Sequence, residues 1–196
     1  VKARFLRLLR IFATVPVAIL LVAVIRVIRP FLLIRIGALK SDRIGHFVLE
    51  TELMLLEQKA GISPKRKKTI DFWYAPEPIA NQFVYEMWKR RLNIWPNWMM
   101  ISLFKVNSFL PLKRVHQIPT ATSTCLDVHN LLDRYPPMHS FTKNEVAQGS
   151  EILTQMGVGE GDRFVCFIVR DSAYTRKVFP GKDLSYHDYR NCDVSD

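Results

Sequence analysis

The sequence predicts an α/β fold in which an apolar N-terminal helix precedes a parallel sheet. Short runs of β-branched and aromatic residues alternate with longer segments of helical spacing, an order typical of βαβ units. The last of these runs, residues 163–169, is apolar almost throughout, as in a strand covered on both faces. Residues 11–25 contain no charged side chain, which sets the N-terminal segment apart from the rest of the chain.

Composition and charge narrow the class of protein. With 196 residues, of which 48% are hydrophobic, the chain can form a sizeable core, and this excludes a disordered protein. The net charge of +10 indicates an anionic partner, which could be nucleic acid, anionic lipid or a phosphorylated small molecule. The basic residues cluster around the apolar N-terminal segment and at residues 65–68, a layout that favours a membrane surface. We therefore expect anionic membrane lipid, and not nucleic acid, as a partner.

Residues 1–29 are predicted to form a membrane-associated helix. Their uncharged stretch is shorter than the roughly twenty residues that span a bilayer. Extension to residue 34 gives enough length only if Arg26 and Arg29 reach the lipid headgroups. Basic residues on both sides give no orientation, and Pro16 permits a kink. A spanning transmembrane helix, a monotopic insertion, a signal peptide and a buried helix all stay open, and the first two are favoured.

The first strand and its helix follow this segment. Pro30 ends the N-terminal helix, because its ring and its missing N–H cannot continue one. Residues 31–36 are predicted to form a strand that Gly37 closes. Residues 44–59 have apolar side chains at three- and four-residue spacing, which predicts a helix with Gly61 at its C-terminal cap.

The alternation of strands and helices then continues. A strand, a helix, a short strand and a short helix are predicted in turn, over residues 69–74, 79–91, 93–95 and 98–104. Residues 110–135 show no regular pattern. Together these units predict a Rossmann-like domain of parallel strands over residues 30–140.

Residues 141–196 are predicted to hold a linking helix and the first strand of a second α/β domain. Thr142 and Glu145 have the spacing of a capping box, which predicts a helix over residues 142–156. The strand over residues 163–169 follows it. Since the chain then stops, we expect the second domain to be truncated.

Neither a metal site nor a disulfide framework is expected. The three cysteines are widely spaced, and Cys166, inside the last predicted strand, is interpreted as a small core residue. The histidines lack the spacing of metal ligands. We therefore expect no metal and no cofactor.

The loop after the first predicted strand, residues 41–46, is the first candidate site. Ligands in this architecture bind where a strand passes into its helix, and the helix N-terminus attracts anions. Four of its residues are candidates for catalysis or phosphate binding: Asp42, Arg43, Gly45 and His46. The glycine allows close backbone approach, and the histidine could act as a base. Alternatively, a loop side chain caps the helix and the histidine is merely an exposed first-turn residue.

A second candidate site follows the last predicted strand. Arg170 would lie at the carboxyl end of that strand, where a guanidinium can hold a phosphate with two hydrogen bonds. Nearby polar and aromatic residues could complete a donor site: Asp171, Ser172, Tyr189, Arg190 and Asn191.

Several of these motifs resemble a poorly characterised group of bacterial glycosyltransferases. The resemblance covers roughly residues 35–196 and rests on residues 34–37, 42–46, 51–53, 169–172 and 187–191. It implies a two-domain GT-B fold that binds a nucleotide sugar between its domains, so that this chain is an incomplete GT-B enzyme. The Val-Arg-Asp strand end also resembles fucosyltransferase-type enzymes, in which the arginine contacts the donor diphosphate. That likeness implies the same role for Arg170.

The resemblance also implies a function. We expect a membrane-associated, hexosyltransferase-like enzyme that transfers a sugar from a nucleotide-sugar donor to a cell-envelope or glycan acceptor without a metal. It would work at the cytoplasmic face of the inner membrane, with Asp42 or His46 as the base, and the fragment itself is expected to be inactive. The alternative is a non-catalytic, membrane-anchored binding or assembly protein.

In the full-length enzyme, Arg170→Lys should lower donor affinity and turnover by roughly tenfold to a hundredfold, because lysine keeps the charge but loses the two parallel hydrogen bonds. Arg170→Ala should have a larger effect without unfolding the protein. Calorimetric donor binding, measured beside the melting temperature, is the test. If Arg170 only holds a loop through an ion pair with a carboxylate such as Asp188 or Asp193, the alanine variant will melt at a lower temperature and keep its donor affinity.

Overall fold

The computed structural model describes residues 2–63, 68–119, 126–166, 172–183 and 185–190. The chain divides into two compact units, Val1–Ser140 and Phe141–Asp196. The first unit contains α1 (Lys2–Val27), β1 (Leu33–Ala38), α2 (Ile44–Lys59), β2 (Thr69–Tyr74), α3 (Gln82–Lys89), α4 (Asn97–Ser108), a 3-10 helix (Lys113–His116) and α5 (Leu131–Arg134). The second contains α6 (Lys143–Gln155), α7 (Ala173–Val178) and a 3-10 helix (Ser185–Arg190).

The sheet of the first unit is parallel. β1 and β2 pair from Leu33 opposite Thr69 to the ends of both strands. Single-residue parallel bridges extend the sheet on both sides, from Trp73 to Ile94 and from Ile36 to Gln117. From one edge of the sheet to the other, the order is the bridge at Ile94, then β2, then β1, then the bridge at Gln117. Numbered along the chain, this order is third, second, first, fourth. The chain therefore adds its first neighbours on one side of β1 and the last on the other side.

Two apolar layers cover the two faces of this sheet. Because successive side chains of a strand point to opposite faces, neighbouring residues of β2 belong to different clusters. Trp73 packs with Phe47 of α2 and Trp88 of α3. Tyr74 packs with Ile25 of α1 and Met100 of α4. The unit is thus an α/β/α arrangement with α2 and α3 on one face and α1 and α4 on the other.

Helix α1 is held against α4 by apolar and polar contacts. Its buried stripe has the helical spacing Ala18, Val22 and Ile25. The Arg26 guanidinium donates to Asn107 Oδ1 at 2.8 Å and to the Pro111 carbonyl at 2.7 Å. One side of α1 therefore belongs to the core of the first unit.

The predicted transmembrane helix is not found. Among the helices in the described part of the chain, none is long and apolar enough to cross a membrane. The segment predicted for that role, residues 1–29, instead contributes α1 to the packing just described.

Several element bounds agree with the sequence prediction, and others shift for local reasons. α2 and β2 have the predicted bounds. β1 starts two residues later than predicted, because the N–H groups of Phe31 and Leu32 both donate to the Ile28 carbonyl and close a turn after α1. α3 starts at Gln82, after the Asn81 side chain accepts a capping hydrogen bond at 3.0 Å. α4 is longer than predicted, and residues 110–135 include two short helices and the bridge to β1.

The second unit confirms the predicted helix. It contradicts the strand predicted over residues 163–169 only at residues 163–166, because residues 167–169 lie outside the described residues. Thr142 and Glu145 form both hydrogen bonds of the capping box before α6. Residues 163–166 form no strand, and the Val165 side chain is 91% exposed. β-branched and aromatic residues form strands when they can pack against neighbouring strands, and the described part of this unit supplies none. Cys166 is also exposed, so its interpretation as a core residue was wrong.

A buried ion pair joins the two central strands. Arg35 and Asp71 are directly opposite each other in the register. The guanidinium donates from Nε to Oδ1 at 2.7 Å and from Nη2 to Oδ2 at 2.9 Å. Both side chains are at most 10% exposed. Such a bidentate pair tolerates burial only because each charge has its partner.

Asp71→Ala should destabilise the first unit by about 3–5 kcal/mol, because it leaves the Arg35 charge buried without its partner. The double change Arg35→Met with Asp71→Leu should cost much less, since it removes both charges. Urea unfolding followed by circular dichroism measures both effects. Glu86→Ala, which breaks the exposed pair with Lys89, serves as the control and should leave the midpoint nearly unchanged. Equal midpoints for Asp71→Ala and this control would contradict the role given to the pair.

Candidate functional site

A cleft of about 700 Å³ runs along β1 in the first unit. Its lining includes residues of β1 and of the turn after it, between Leu33 and Lys40, three residues of α2, Phe104 of α4, and residues 114, 115 and 117–119. Clefts of this kind arise in parallel sheets where the direction of progress reverses, because the neighbouring connections leave on opposite faces. The cleft therefore lies where the strand order itself predicts a binding site.

Gly37, in β1, lets the side chains of Trp73 and Ile118 approach the backbone at the base of the cleft. A β-carbon at this position would lie 2.8 Å from Trp73 Cζ3 and 2.9 Å from Ile118 Cδ1. Both distances are far shorter than van der Waals contact. Only glycine lets these two apolar side chains meet over β1.

The wall formed by residues 114–119 is attached to β1 by hydrogen bonds. The Ile118 N–H donates to the Ile36 carbonyl at 3.1 Å. The His116 Nδ1 lies 2.8 Å from the Ile34 carbonyl, and its side chain is almost fully buried. Burial lowers the pKa of His116, the hydrogen bond to Ile34 opposes this shift, and the charge of Arg26 reinforces it. The neutral imidazole donates to the carbonyl and fixes the wall.

A cluster of ionisable side chains lies at the carboxyl end of β1. Glu50, on α2, is only 8% exposed and lines the cleft. Its carboxylate is 2.6 Å from His46 Nδ1 and 2.7 Å from Lys40 Nζ. Lys40 and His46 are 44% and 34% exposed. The cluster thus joins a buried carboxylate to two side chains that solvent can reach.

The geometry of this cluster suits proton transfer. When Nδ1 of His46 donates to the carboxylate, Nε2 has the lone pair and can accept a proton. The carboxylate then fixes the orientation of the ring and stabilises the imidazolium that forms. Lys40 adds a positive charge that favours an anionic group nearby.

The predicted loop residues have different places around this cluster. His46 belongs to it. Arg43 is the N-cap residue of α2, but its side chain makes no capping hydrogen bond. Asp42 is half-buried in the turn, and Gly45 has open space beside its α-carbon. Ser41 is buried and donates to the Pro76 carbonyl, so its hydroxyl ties the loop to the chain after β2.

Sequence reasoning missed Glu50 and Lys40. Glu50 is four residues after His46 in a helix that was correctly predicted, and residues at that spacing lie on one helix face. That spacing could have identified the pair. Nothing in the sequence pattern pointed to Lys40, because its approach to α2 depends on the turn between β1 and α2.

A second buried carboxylate on α2 has a structural role. Glu52 accepts hydrogen bonds from the Met138 N–H at 2.5 Å and from His139 Nδ1 at 2.8 Å. The His139 ring also packs edge-on against Trp88, with 5.0 Å between ring centroids. These contacts hold the end of the first unit on α2.

The predicted donor-binding residues belong to the second unit. Arg170, Asp171 and Asn191 lie outside the described residues. Ser172 is half-buried just before α7, whereas Tyr189 is 75% exposed. Arg190 ends the 3-10 helix of this unit.

No grouping of three or more histidine, cysteine or acidic side chains suited to a metal occurs among the residues that the structure describes. Comparison with known proteins gives no match: no family model, no curated protein and no solved structure is significantly similar to the chain.

The stability of the first unit should fall as the pH is lowered below about 6.5, the ordinary pKa of histidine. The pKa of His116 is lower in the folded chain than in the unfolded chain, so the unfolded chain takes up the proton first. For one such group the loss is at most about 1.4 kcal/mol per pH unit. His116→Gln keeps a donor but cannot be protonated, so its melting temperature should fall less between pH 7 and pH 5. His129→Gln, at an exposed histidine, is the control and should behave as the wild type. If the melting temperature of His116→Gln falls between pH 7 and pH 5 as much as that of the wild type, another group is responsible for the acid sensitivity.

Proposed function

We propose that this chain is part of a membrane-associated glycosyltransferase, which transfers a sugar from a nucleotide sugar to a cell-envelope or glycan acceptor. The observation on which this rests is the hydrogen bond between His46 and Glu50 beside the cleft at the carboxyl end of β1. The resemblance of residues 42–46 to a bacterial glycosyltransferase motif adds support from the sequence.

The arrangement of the first unit supports a Rossmann-like, GT-B-type domain in this proposal. The parallel partners stand in the order third, second, first, fourth, and helices cover both faces. These are the first four positions of the doubly wound strand order, whose ligands bind at the point of reversal. On the same proposal the second unit begins the donor domain.

Transfer of the sugar needs a base for the acceptor hydroxyl. As the acceptor oxygen bonds to the anomeric carbon, its proton passes to Nε2 of His46, and the bond to the nucleotide diphosphate breaks. Glu50 offsets the positive charge that develops on the imidazole. Asp42 remains a second candidate for the base.

The leaving diphosphate gains negative charge during the reaction, which positioned cations can stabilise without a metal. Arg170 has this role in the proposal, and Lys40 adds positive charge beside the acceptor cleft. The proposed location is the cytoplasmic face of the inner membrane, where nucleotide sugars are available.

His46→Ala in the full-length enzyme should lower kcat by about 10²–10⁴-fold, the range typical of a lost general base, with donor affinity unchanged. Glu50→Gln keeps a hydrogen-bond acceptor but loses the charge, so its kcat should fall less. Turnover is measured beside calorimetric donor binding. His129→Gln, at an exposed position, and Glu86→Gln, at a half-exposed position, both lie outside the cleft and serve as matched controls.

Wild-type turnover in a folded His46→Ala protein would exclude His46 as the base. A full-length wild-type protein that no nucleotide sugar stabilises against thermal unfolding would instead support the alternative, a non-catalytic membrane-anchored binding or assembly protein.

A further inference from the structure

Helix α1 is apolar on two sides, and only one of them is covered within the first unit. The stripe of Ala18, Val22 and Ile25 is buried. A second stripe, formed by residues 17, 20, 24 and 27, is between 46% and 75% exposed. A helix that is apolar all round is stable where both sides meet an apolar environment. The second stripe should therefore be stabilised by an apolar environment, which the described residues of this unit do not supply.

A neighbouring turn enlarges this apolar surface. The hydrogen bond from Arg26 to the Pro111 carbonyl places the turn after α4 beside the end of α1. Phe109 and Leu112 in that turn are 88% and 61% exposed, and Phe31 after α1 is 76% exposed. We call the exposed stripe of α1 together with these three residues the α1 ridge. Exposed apolar side chains in such number mark interaction surfaces.

The charges around the α1 ridge have one sign. Residues 1–41 and 87–126 contain no aspartate and no glutamate. The same stretches supply exposed cations close to the ridge, at Lys105, Lys113 and Arg114. A surface whose own segments supply apolar side chains and cations but no acidic residue is complementary to an apolar partner with an anionic border.

Among possible partners, a lipid leaflet fits these features best. A second copy of the chain, packed symmetrically on the same surface, would place cations opposite cations. An anionic leaflet accepts both features, because the apolar side chains enter the boundary between headgroups and acyl chains while the cations meet phosphates. The contacts of α1 with α4 can persist in this mode, since only the exposed side of α1 enters the lipid.

We infer that the α1 ridge docks flat onto one leaflet of an anionic membrane, with α1 parallel to the surface and still packed on α4. This inference makes the membrane association in the proposed function specific, and its apolar part rests on the exposed side chains of the ridge rather than on a spanning helix. The basic residues at positions 2, 4, 7 and 10 add positive charge in the same stretch of sequence.

Flotation of the purified chain with lipid vesicles tests this inference. Vesicles of phosphatidylcholine alone are compared with vesicles that also contain phosphatidylglycerol. We expect binding to the anionic vesicles, and we expect Phe31→Ser with Phe109→Ser to weaken it by at least about tenfold, because two exposed phenylalanines no longer enter the lipid. Phe164→Ser, at an exposed phenylalanine of the second unit, is the matched control and should bind as the wild type.

A second pair of variants tests the charge. Lys105→Gln with Lys113→Gln should weaken binding to the anionic vesicles and reduce its dependence on salt, whereas Lys143→Gln with Lys177→Gln in the second unit should not. The inference is overturned if the phenylalanine double variant binds as the wild type does or if the wild type binds neither kind of vesicle. Self-association that the same double variant abolishes would also overturn it, since the ridge would then be an interface between copies. Vesicle binding by a protein that does not bind nucleotide sugars would leave the docking surface standing and reject the proposed enzyme.

Discussion

The buried pair of Arg35 and Asp71 is the interaction on which the rest of the first unit depends. Two opposite charges at one level of a parallel ladder penalise a shift of one residue, because that shift would leave the two side chains on opposite faces of the sheet. The register places Ile36 and Tyr74 in one apolar layer and Gly37 and Trp73 at the other. It also fixes the level at which β1 ends, and therefore the position of the cluster around Glu50.

The two faces of the sheet have different proposed roles. On one face, α2 presents Glu50 to the cleft, and His46 is hydrogen-bonded to that carboxylate. On the other face, α1 and α4 form the layer whose outer side is proposed to meet lipid. None of the residues of the α1 ridge lines the cleft, although Phe104 of α4 does. Chemistry and membrane attachment can therefore be tested by separate variants of the same chain.

Local patterns predicted the elements that depend on local physics. The helix at Ile44–Lys59, the strand at Thr69–Tyr74 and the capping box of Thr142 follow from spacing and hydrogen-bonding chemistry that the sequence displays directly. The bridge at Gln117 could not be predicted, because it depends on the gap that Gly37 leaves for Ile118. The strand at residues 163–169 failed over its described part for the opposite reason, since a favourable composition has no effect without a neighbouring strand. At the candidate site the histidine was predicted and its carboxylate partner was not, although their spacing of four was visible.

The course of the cleft has a consequence for the size of its ligand. Its lining extends from Leu33 to Lys40, so it follows β1 from one end to the other. A strand of six residues is roughly 20 Å long. Phe31 on the α1 ridge precedes one end of this strand, and the His46–Glu50 pair lies at the other. An acceptor that filled the cleft and placed its hydroxyl at His46 would extend along the strand for that length, so the cleft would favour elongated molecules over short ones.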